Sequence, residues 1–306
     1  MGREEITFAG FPSCSNLDAL QADIALIGIP YGSRYDPEKP PHSRDAPKVI
    51  RLESNRYEDD PVAWDFDLNG TLLGESGARV ADCGDLPDSQ MGADENRVRT
   101  QDAITAILKS GAVPVVLGGD DSVPIAVMRA YEDSDPFIVL QLDAHIDWRD
   151  SVGGIRDGYS STMRRASELK CVKSIVQVGM RGVGSARKEE HTAALDYGAR
   201  IITAQMVMRD GAERSLKELP EGENCFLTID FDVLDPSIMP AVGAPTPGGL
   251  DYWTLIEIIQ GAASRNRIIG ACLVEFVPEA DLHNLGAITA MRVVWNVIGA
   301  VARAFK

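Results

Sequence analysis

Acidic residues and one histidine recur directly after short apolar runs. Val113–Leu117 leads through Gly118 and Gly119 to Asp120 and Asp121; Phe137–Leu142 leads to "DAHID", with Asp143, His145 and Asp147. Phe226–Ile229 leads to "DFDVLDP", with Asp230, Asp232 and Asp235, and Ile268–Val274 leads to Glu275. In an extended strand end the side-chain period is two, so D-x-H and D-x-D aim their members to one side. Carboxylates gathered at close range repel one another unless a cation holds them, so the pattern predicts a metal site, and more than one metal. A single acid at a strand end is more simply a helix cap or a solvated loop charge. Asp120 and Asp235 each fit that description; three clusters and a glutamate at one sheet edge do not.

The elements that must carry these residues follow from hydrophobic periodicity. Apolar runs at Ile24–Ile29, Val113–Leu117, Phe137–Leu142, Ser174–Val178, Arg200–Thr203, Phe226–Ile229 and Ile268–Val274 alternate with longer segments of helical spacing. That alternation predicts an α/β fold with a mainly parallel sheet covered by helices on both faces, and ligands in such sheets bind beyond the carboxyl ends of the strands. "ENRVRTQDAITAILKSG" places Val98, Ile104 and Ile107 on one helical face and ends at Gly111, a cap. Leu285–Phe305 is a long apolar helix that must pack on the sheet or on a neighbouring subunit. Residues 30–60, rich in Pro, Arg and Asp, read as a long surface loop, and nothing splits residues 1–306 into more than one domain.

Composition narrows the partners. With 46 acidic and 30 basic residues the formal charge is -16, which disfavours nucleic acid and favours a cationic substrate or a metal ion. Five scattered cysteines without a CxxC pair read as reduced thiols. No signal peptide or membrane span is recognised, so the expected location is cytoplasmic.

The motifs "GGDDS" (118–122), "DAHID" (143–147) and "DFDVLDPSIMPAVGAPTPGGL" (230–250) resemble the ureohydrolase family, the arginases and agmatinases, in the family's order. "GIPYGS" (28–33), "APKVIR" (46–51), "DCGD" (82–85), "QVGMRG" (177–182) and "VEFVPEAD" (274–281) extend the resemblance over nearly the whole chain. It implies an arginase-like three-layer α/β/α fold and a binuclear Mn2+ centre, two ions per chain, whose shared hydroxide hydrolyses a guanidino group to urea and an amine. Carried over by position, Asp121, Asp143, Asp147 and Asp230 hold one ion and Asp143, His145, Asp230 and Asp232 the other, with Asp143 and Asp230 bridging. Glu275 receives the guanidinium, and Glu275 and Asp147 stand nearest the chemistry. An oxygen-rich donor set with one imidazole suits manganese, with other divalent metals possible. The family's trimers and hexamers imply a homo-oligomer.

Two departures stand out. Asp121 replaces the family's first metal-binding histidine, so five ligand carboxylates face two divalent ions, which predicts a more negative centre. "DGYSSTMRRA" (157–166) lacks the histidine that in family members brings a proton to the leaving amine, leaving Tyr159, Ser160, a nearby aspartate or water. His42, His191 and His283 are expected in surface or hydrogen-bonding roles. Trp148 and Arg149, directly after "DAHID", are candidates for the far end of the substrate; Arg149 would favour a guanidino acid over agmatine, unless it pairs with Asp150 or a surface acid. The rival reading is an impaired family member that binds a ligand or supports an active partner.

Overall fold

The computed structural model of the chain describes residues 6–33, 35–36, 41–57, 62–87 and 92–305. Eight strands, β1 (Ile24–Ile29), β2 (Val80–Asp85), β3 (Val113–Gly118), β4 (Phe137–Leu142), β5 (Val172–Met180), β6 (Arg200–Thr203), β7 (Asn224–Asp230) and β8 (Arg267–Val274), form one sheet in the order β2-β1-β3-β8-β7-β4-β5-β6. Every pairing is parallel. The helices are α1 (Ala46–Ser54), α2 (Ala93–Ser110), α3 (Val123–Arg129), α4 (Thr162–Ala166), α5 (Lys188–Tyr197), α6 (Ala204–Asp210), α7 (Glu213–Leu216), α8 (Tyr252–Arg265) and α9 (Leu285–Ala302).

Alternation along the strands produces the three layers. Ile138, Leu140 and Leu142 of β4 join a core shared with α1, α6, α7, α8 and α9, whereas Phe137 and Val139 join a second core shared with α2, α3, α4 and α5. β3 and β4 are buried along their whole length, as parallel strands covered on both faces must be.

Several sequence expectations need correction. β2 was not anticipated, because "VADCGD" carries two aspartates; it is an edge strand whose Asp82 is fully buried. Residues 30–60 are not one loop: α1 occupies Ala46–Ser54, while residues 34, 37–40 and 58–60 of that segment lie outside the described ones. On α2, Ile104 and Ile107 are buried but Val98 is exposed, and Gly111 caps the helix in the left-handed conformation as expected. α9 is long and apolar enough to cross a membrane by length and composition, yet 83% of it is buried inside the fold. Its apolarity is thus satisfied within one chain and says nothing about a neighbouring subunit.

Arg51 anchors the sheet edge. Its guanidinium donates to both oxygens of Asp82, at 2.8 and 2.9 Å, and also to Asp85 and the Gly84 carbonyl. Asp82 also accepts the Phe8 N–H at 2.7 Å. This ties α1, β2 and the N-terminal segment together, and with them the β1–α1 connection that approaches the strand ends. Removing one member of a buried pair strands the other's charge at a cost of about 3–5 kcal/mol. Arg51→Met should therefore lower the unfolding free energy by about that much in denaturant titration; a loss below about 1 kcal/mol would show that the pair is not a keystone.

Candidate metal centre

The acids converge because of strand order. β3, β8, β7 and β4 are adjacent, and these are the four strands that the acidic motifs follow. Register sets their heights: Leu142 pairs with Ile229, so Asp143 is level with Asp230, and Asp230 pairs with Val274, so Glu275 comes one residue further on.

The β3 end is shaped by glycine. A Cβ on Gly119 would lie 2.3 Å from the Tyr31 carbonyl oxygen, and one on Gly32 would lie 1.9 Å from Asp120 Oδ1. Only glycines let the "GIPYGS" loop cross the β3 turn so closely. Asp120 Oδ1 accepts the Ser122 N–H at 2.9 Å and its hydroxyl at 2.5 Å, so Asp120 shapes the turn. Asp121 points into the site. Its N–H donates to Glu275 Oε1 at 2.8 Å, its carbonyl accepts from the Thr162 hydroxyl, and both carboxylate oxygens are buried without a hydrogen-bond partner. Asp147 and Glu275 both have positive φ, 46° and 70°, a left-handed conformation that costs a side-chain-bearing residue about 1–3 kcal/mol.

Below the site runs a buried polar chain that sequence reasoning missed. Trp148 Nε1 donates to Gln177 Oε1 at 3.0 Å, Gln177 Nε2 to Gln141 Oε1 at 2.6 Å, and Gln141 Nε2 to Asp143 at 2.7 Å and Asp147 at 2.8 Å. Its sequence signal is a glutamine flanked by apolar residues in each of two strands, Gln141 in "FIVLQL" and Gln177 in "IVQV". The Asp143 and Asp230 carboxylates also accept backbone N–H groups, from His145 at 2.6 Å and from Asp232 at 2.7 Å. His145 Nδ1 lies 2.8 Å from Asp232 Oδ2.

Electrostatics follow from burial without a compensating cation. Desolvation, then neighbouring carboxylates, push Asp121, Asp143 and Asp230 well above the usual carboxylate range. Desolvation also lifts Asp147 to about 6, opposed chiefly by His145. Burial pulls His145 down, but the hydrogen bond and charge of Asp232 and the charges of Asp147 and Asp230 outweigh it and raise it to about 10. The imidazolium thus takes a cation's place among the acids.

Two groups of donor atoms lie within 4.8 Å of one another: Asp143, His145 and Asp232, and Asp121, Asp143 and Asp147. They share Asp143, which suits two neighbouring ions. Asp230 lines the same cleft but belongs to neither group. The orphaned oxygens of Asp121 and the excess of carboxylates fit hard divalent cations.

Above the donors a cleft of about 300 Å³ is lined by His42, Tyr159, Ser160, Ser185, Gly243, Ala244 and Glu275 as well as the acids. Burial pulls His42 down, but its 2.6 Å hydrogen bond to Glu275 Oε2 and the charges of Glu275, Asp120 and Glu279 lift it to about 9. His191 and His283 are exposed, as expected. Trp148 and Arg149 do not line the cleft. Trp148 is buried, its indole N–H bound to Gln177, and Arg149 is half-buried, its backbone N–H bonded to the Ser160 carbonyl, its Nε buried without a partner and its charge acting on Tyr159. Nor does Arg149 take Asp150, which pairs with Arg156 and Arg165. A larger cavity of about 500 Å³ beside α8 and α9 carries no comparable chemistry, because its Arg303 is committed to backbone carbonyls.

Comparison with known proteins gives a consistent answer. Residues 22–299 match the model of the arginase family. The chain is 30% identical over 289 residues to an agmatinase of Pyrococcus horikoshii, covering 94% of this chain and 95% of that one. It is 30% identical over 280 residues to a guanidinobutyrase of Pseudomonas aeruginosa, covering 88% and 82%. The solved structure of proclavaminate amidino hydrolase from Streptomyces clavuligerus superimposes with a TM-score of 0.82 at 25% identity, covering 98% of each chain.

Asp121 yields a test with opposite signs in two states. Without metal, Asp121→Asn removes a carboxyl group whose ionisation burial and its acidic neighbours oppose, and no hydrogen bond of its side-chain oxygens, so the chain should gain stability. With Mn2+ at about 100 times its Kd the parent should gain about 2.7 kcal/mol and the variant most of it less. Thermal unfolding with and without metal reads both; a variant that gains as much from metal as the parent would make Asp121 a turn residue only.

Proposed function

The chain belongs to the arginase family, whose amidinohydrolases act on guanidino compounds, and from that premise we propose that it cleaves a small guanidino compound to urea and an amine at a pair of manganese ions. The observation that carries this reading is the Asp121 carboxylate, buried and orphaned beside Asp143 and Asp147 and directly beneath Glu275. Two manganese ions bound there supply a water acidified toward neutrality as the nucleophile.

The chain's own residues divide the remaining work. Asp121, Asp143, Asp147 and Asp230 would hold one ion, and Asp143, His145, Asp230 and Asp232 the other. Gln141 fixes the Asp143 and Asp147 carboxylates, so the donors are oriented before a metal arrives. Glu275, with Oε1 committed to the Asp121 N–H, turns Oε2 to the cleft to hold the guanidinium. Asp147 orients the nucleophile.

For the substrate we propose a guanidino compound small enough for the cleft, such as agmatine or a guanidino acid. Among the described residues no lysine or arginine lines that cleft, Arg149 included, and Tyr159, Ser160 and Ser185 offer neutral hydrogen bonds to the far end of the substrate. We propose a homo-oligomer, a trimer or hexamer, on the ground that Trp64, Phe66 and Trp253 are exposed where the Tyr252 hydroxyl binds Asp67. Residues 1–306 are read as one functional unit, supported by the single sheet, and its place as the cytoplasm, supported by five unpaired cysteines.

Urea release from agmatine and from guanidino acids, with added Mn2+ and with a chelator, tests the reading. Glu275→Gln should lower kcat/KM roughly 10–150-fold, since a hydrogen bond to a charged group is worth about 1.5–3 kcal/mol, and should leave the bound metal unchanged. No urea from any member of the panel would overturn the reaction, and lost metal in the variant would overturn the role of Glu275.

A further inference from the structure

When the guanidino C–N bond breaks, the departing nitrogen must be protonated. The 157–166 segment offers poor donors. Asp157 is clamped by Arg129 at 2.7 and 2.9 Å, with Arg97 3.5 Å away. Burial, then the charges of Tyr35, Glu275 and Asp120, push the Tyr159 phenol above its usual value, so it gives up a proton less readily. Among the four histidines, His145 lies among the metal donors and His191 and His283 are exposed away from the cleft. His42 lines the cleft, and the structure assigns it as the acid that protonates the departing amine, an inference that rests on the reaction proposed above.

The geometry puts an imidazole where the guanidinium is received. His42 Nε2 lies 2.6 Å from Glu275 Oε2, on the carboxylate oxygen that Asp121 leaves free. At residue 243 the absence of a side chain keeps the place open: a Cβ there would lie 3.1 Å from Glu275 Oε2 and 3.5 Å from His42 Nε2. The imidazole meets the Tyr159 ring edge-on, with centroids 5.7 Å apart, and Tyr159 packs on Tyr35 at 4.3 Å. The Tyr35 hydroxyl accepts the Ser160 N–H at 3.0 Å. Tyr35 and His42, which both lie between β1 and α1 in the chain, thus pack on Tyr159 and Ser160, and His42 stands in the cleft.

The proton inventory closes. One water adds its oxygen to the guanidino carbon and gives up two protons in all; the C–N bond breaks with its electron pair on nitrogen. That nitrogen takes one proton from His42 and one from the water's share, and His42 recovers its own from the water's other proton through solvent. Guanidinium plus water and urea plus ammonium both carry +1. At about 9, His42 is charged at neutral pH and a readier acid than an alkylammonium of about 10.4, so the transfer runs in the required direction.

Glu275, Asp120, Glu279 and Tyr159 face His42, so the test must separate its proton from theirs. In the metal-loaded full chain, His42→Asn should lower kcat about 10²–10⁴-fold, with KM changed less than about 3-fold and metal content unchanged. The loss should shrink below about 10-fold for a fluorinated analogue of the same substrate with a weakly basic departing amine, and free imidazole should restore part of the rate. The parent's kcat should fall at alkaline pH as His42 loses its proton, and that limb should vanish in the variant. In the metal-free chain the His42 ring signal, followed by NMR, should titrate near 9 and drop toward about 6.5 in Glu275→Gln. The NMR arm needs no His42 variant; should His42→Asn fail to fold, His42→Gln takes its place. Equal losses on both substrates, a persistent alkaline limb, or a His42 titration below about 7 would each overturn the assignment. Urea from the parent with unchanged kcat in His42→Asn overturns this inference alone, whereas no urea from the parent overturns the reaction and this inference together.

Discussion

Like-charge repulsion among buried carboxylates is the constraint on which this molecule is organised. Asp121, Asp143, Asp147, Asp230 and Asp232 are buried at one edge of one sheet, where an uncompensated charge is expensive. The surroundings look like a set of responses to that problem. Gln141 turns both hydrogens of one amide to Asp143 and Asp147 and is itself held by Gln177, which Trp148 holds in turn. Backbone N–H groups of His145, Asp232 and Ala144 serve Asp143, Asp230 and Asp232. His145 supplies positive charge, yet the two oxygens of Asp121 have no partner at all. A polar network that leaves both oxygens of one carboxylate unpartnered is physically sensible when the missing partner is a cation, because the network then fixes donor positions and the ion supplies the balance.

Sheet topology explains how four distant segments share that task. The chain lays down β3 and then β4 three places further along, and β7 and β8 later fill the two places between them. Connections leaving β3 and β4 run to α3 and α4 in one layer and those leaving β7 and β8 to α8 and α9 in the other, so a crevice opens at the strand ends, and the filling strands deliver Asp230, Asp232 and Glu275 into it. Strain falls in the same place. Asp147 and Glu275 take the left-handed backbone conformation, and each is held there by neighbours: Glu275 by its N–H bond to the Gly119 carbonyl, Asp147 by Gln141 and by its own carbonyl's bond from the Arg164 N–H. Such strain persists only where the surrounding structure over-determines it, and here it aims two carboxylates that regular strand geometry would aim elsewhere.

Much of this was legible because it is local. β1, β4 and β6 fall on the apolar runs that mark them, and the D-x-D and D-x-H spacing carried the convergence of the acids. Features set by distant partners were not legible. β2 is a strand because Arg51 neutralises the aspartate in its middle, and no window around "VADCGD" contains that arginine. Trp148 and Arg149 follow a metal motif directly and are expected in the cleft, but Gln177 draws the tryptophan inward and Arg149 is not among the residues that line it. The contact between His42 and Glu275 spans 233 residues and has no periodic signal.

The two departures from the family pattern can be understood together. A carboxylate at residue 121 in place of a neutral imidazole leaves the centre one charge more negative. More negative charge holds cations more firmly but polarises a bound substrate less, so the breaking bond depends more on protonation of its nitrogen. It also strengthens the field that attracts positive charge to the cleft mouth, where Glu275 and Asp120 already keep the His42 imidazole protonated. The chain has an acid where its relatives' pattern has a histidine beside the metals, and a histidine on the β1–α1 connection where the 157–166 segment has none. On the metal centre proposed above, a centre weakened as an electrophile by an Asp121 ligand would gain most from an acid at its mouth, and the His42 imidazole beside Glu275 would supply that acid and offset the added negative charge.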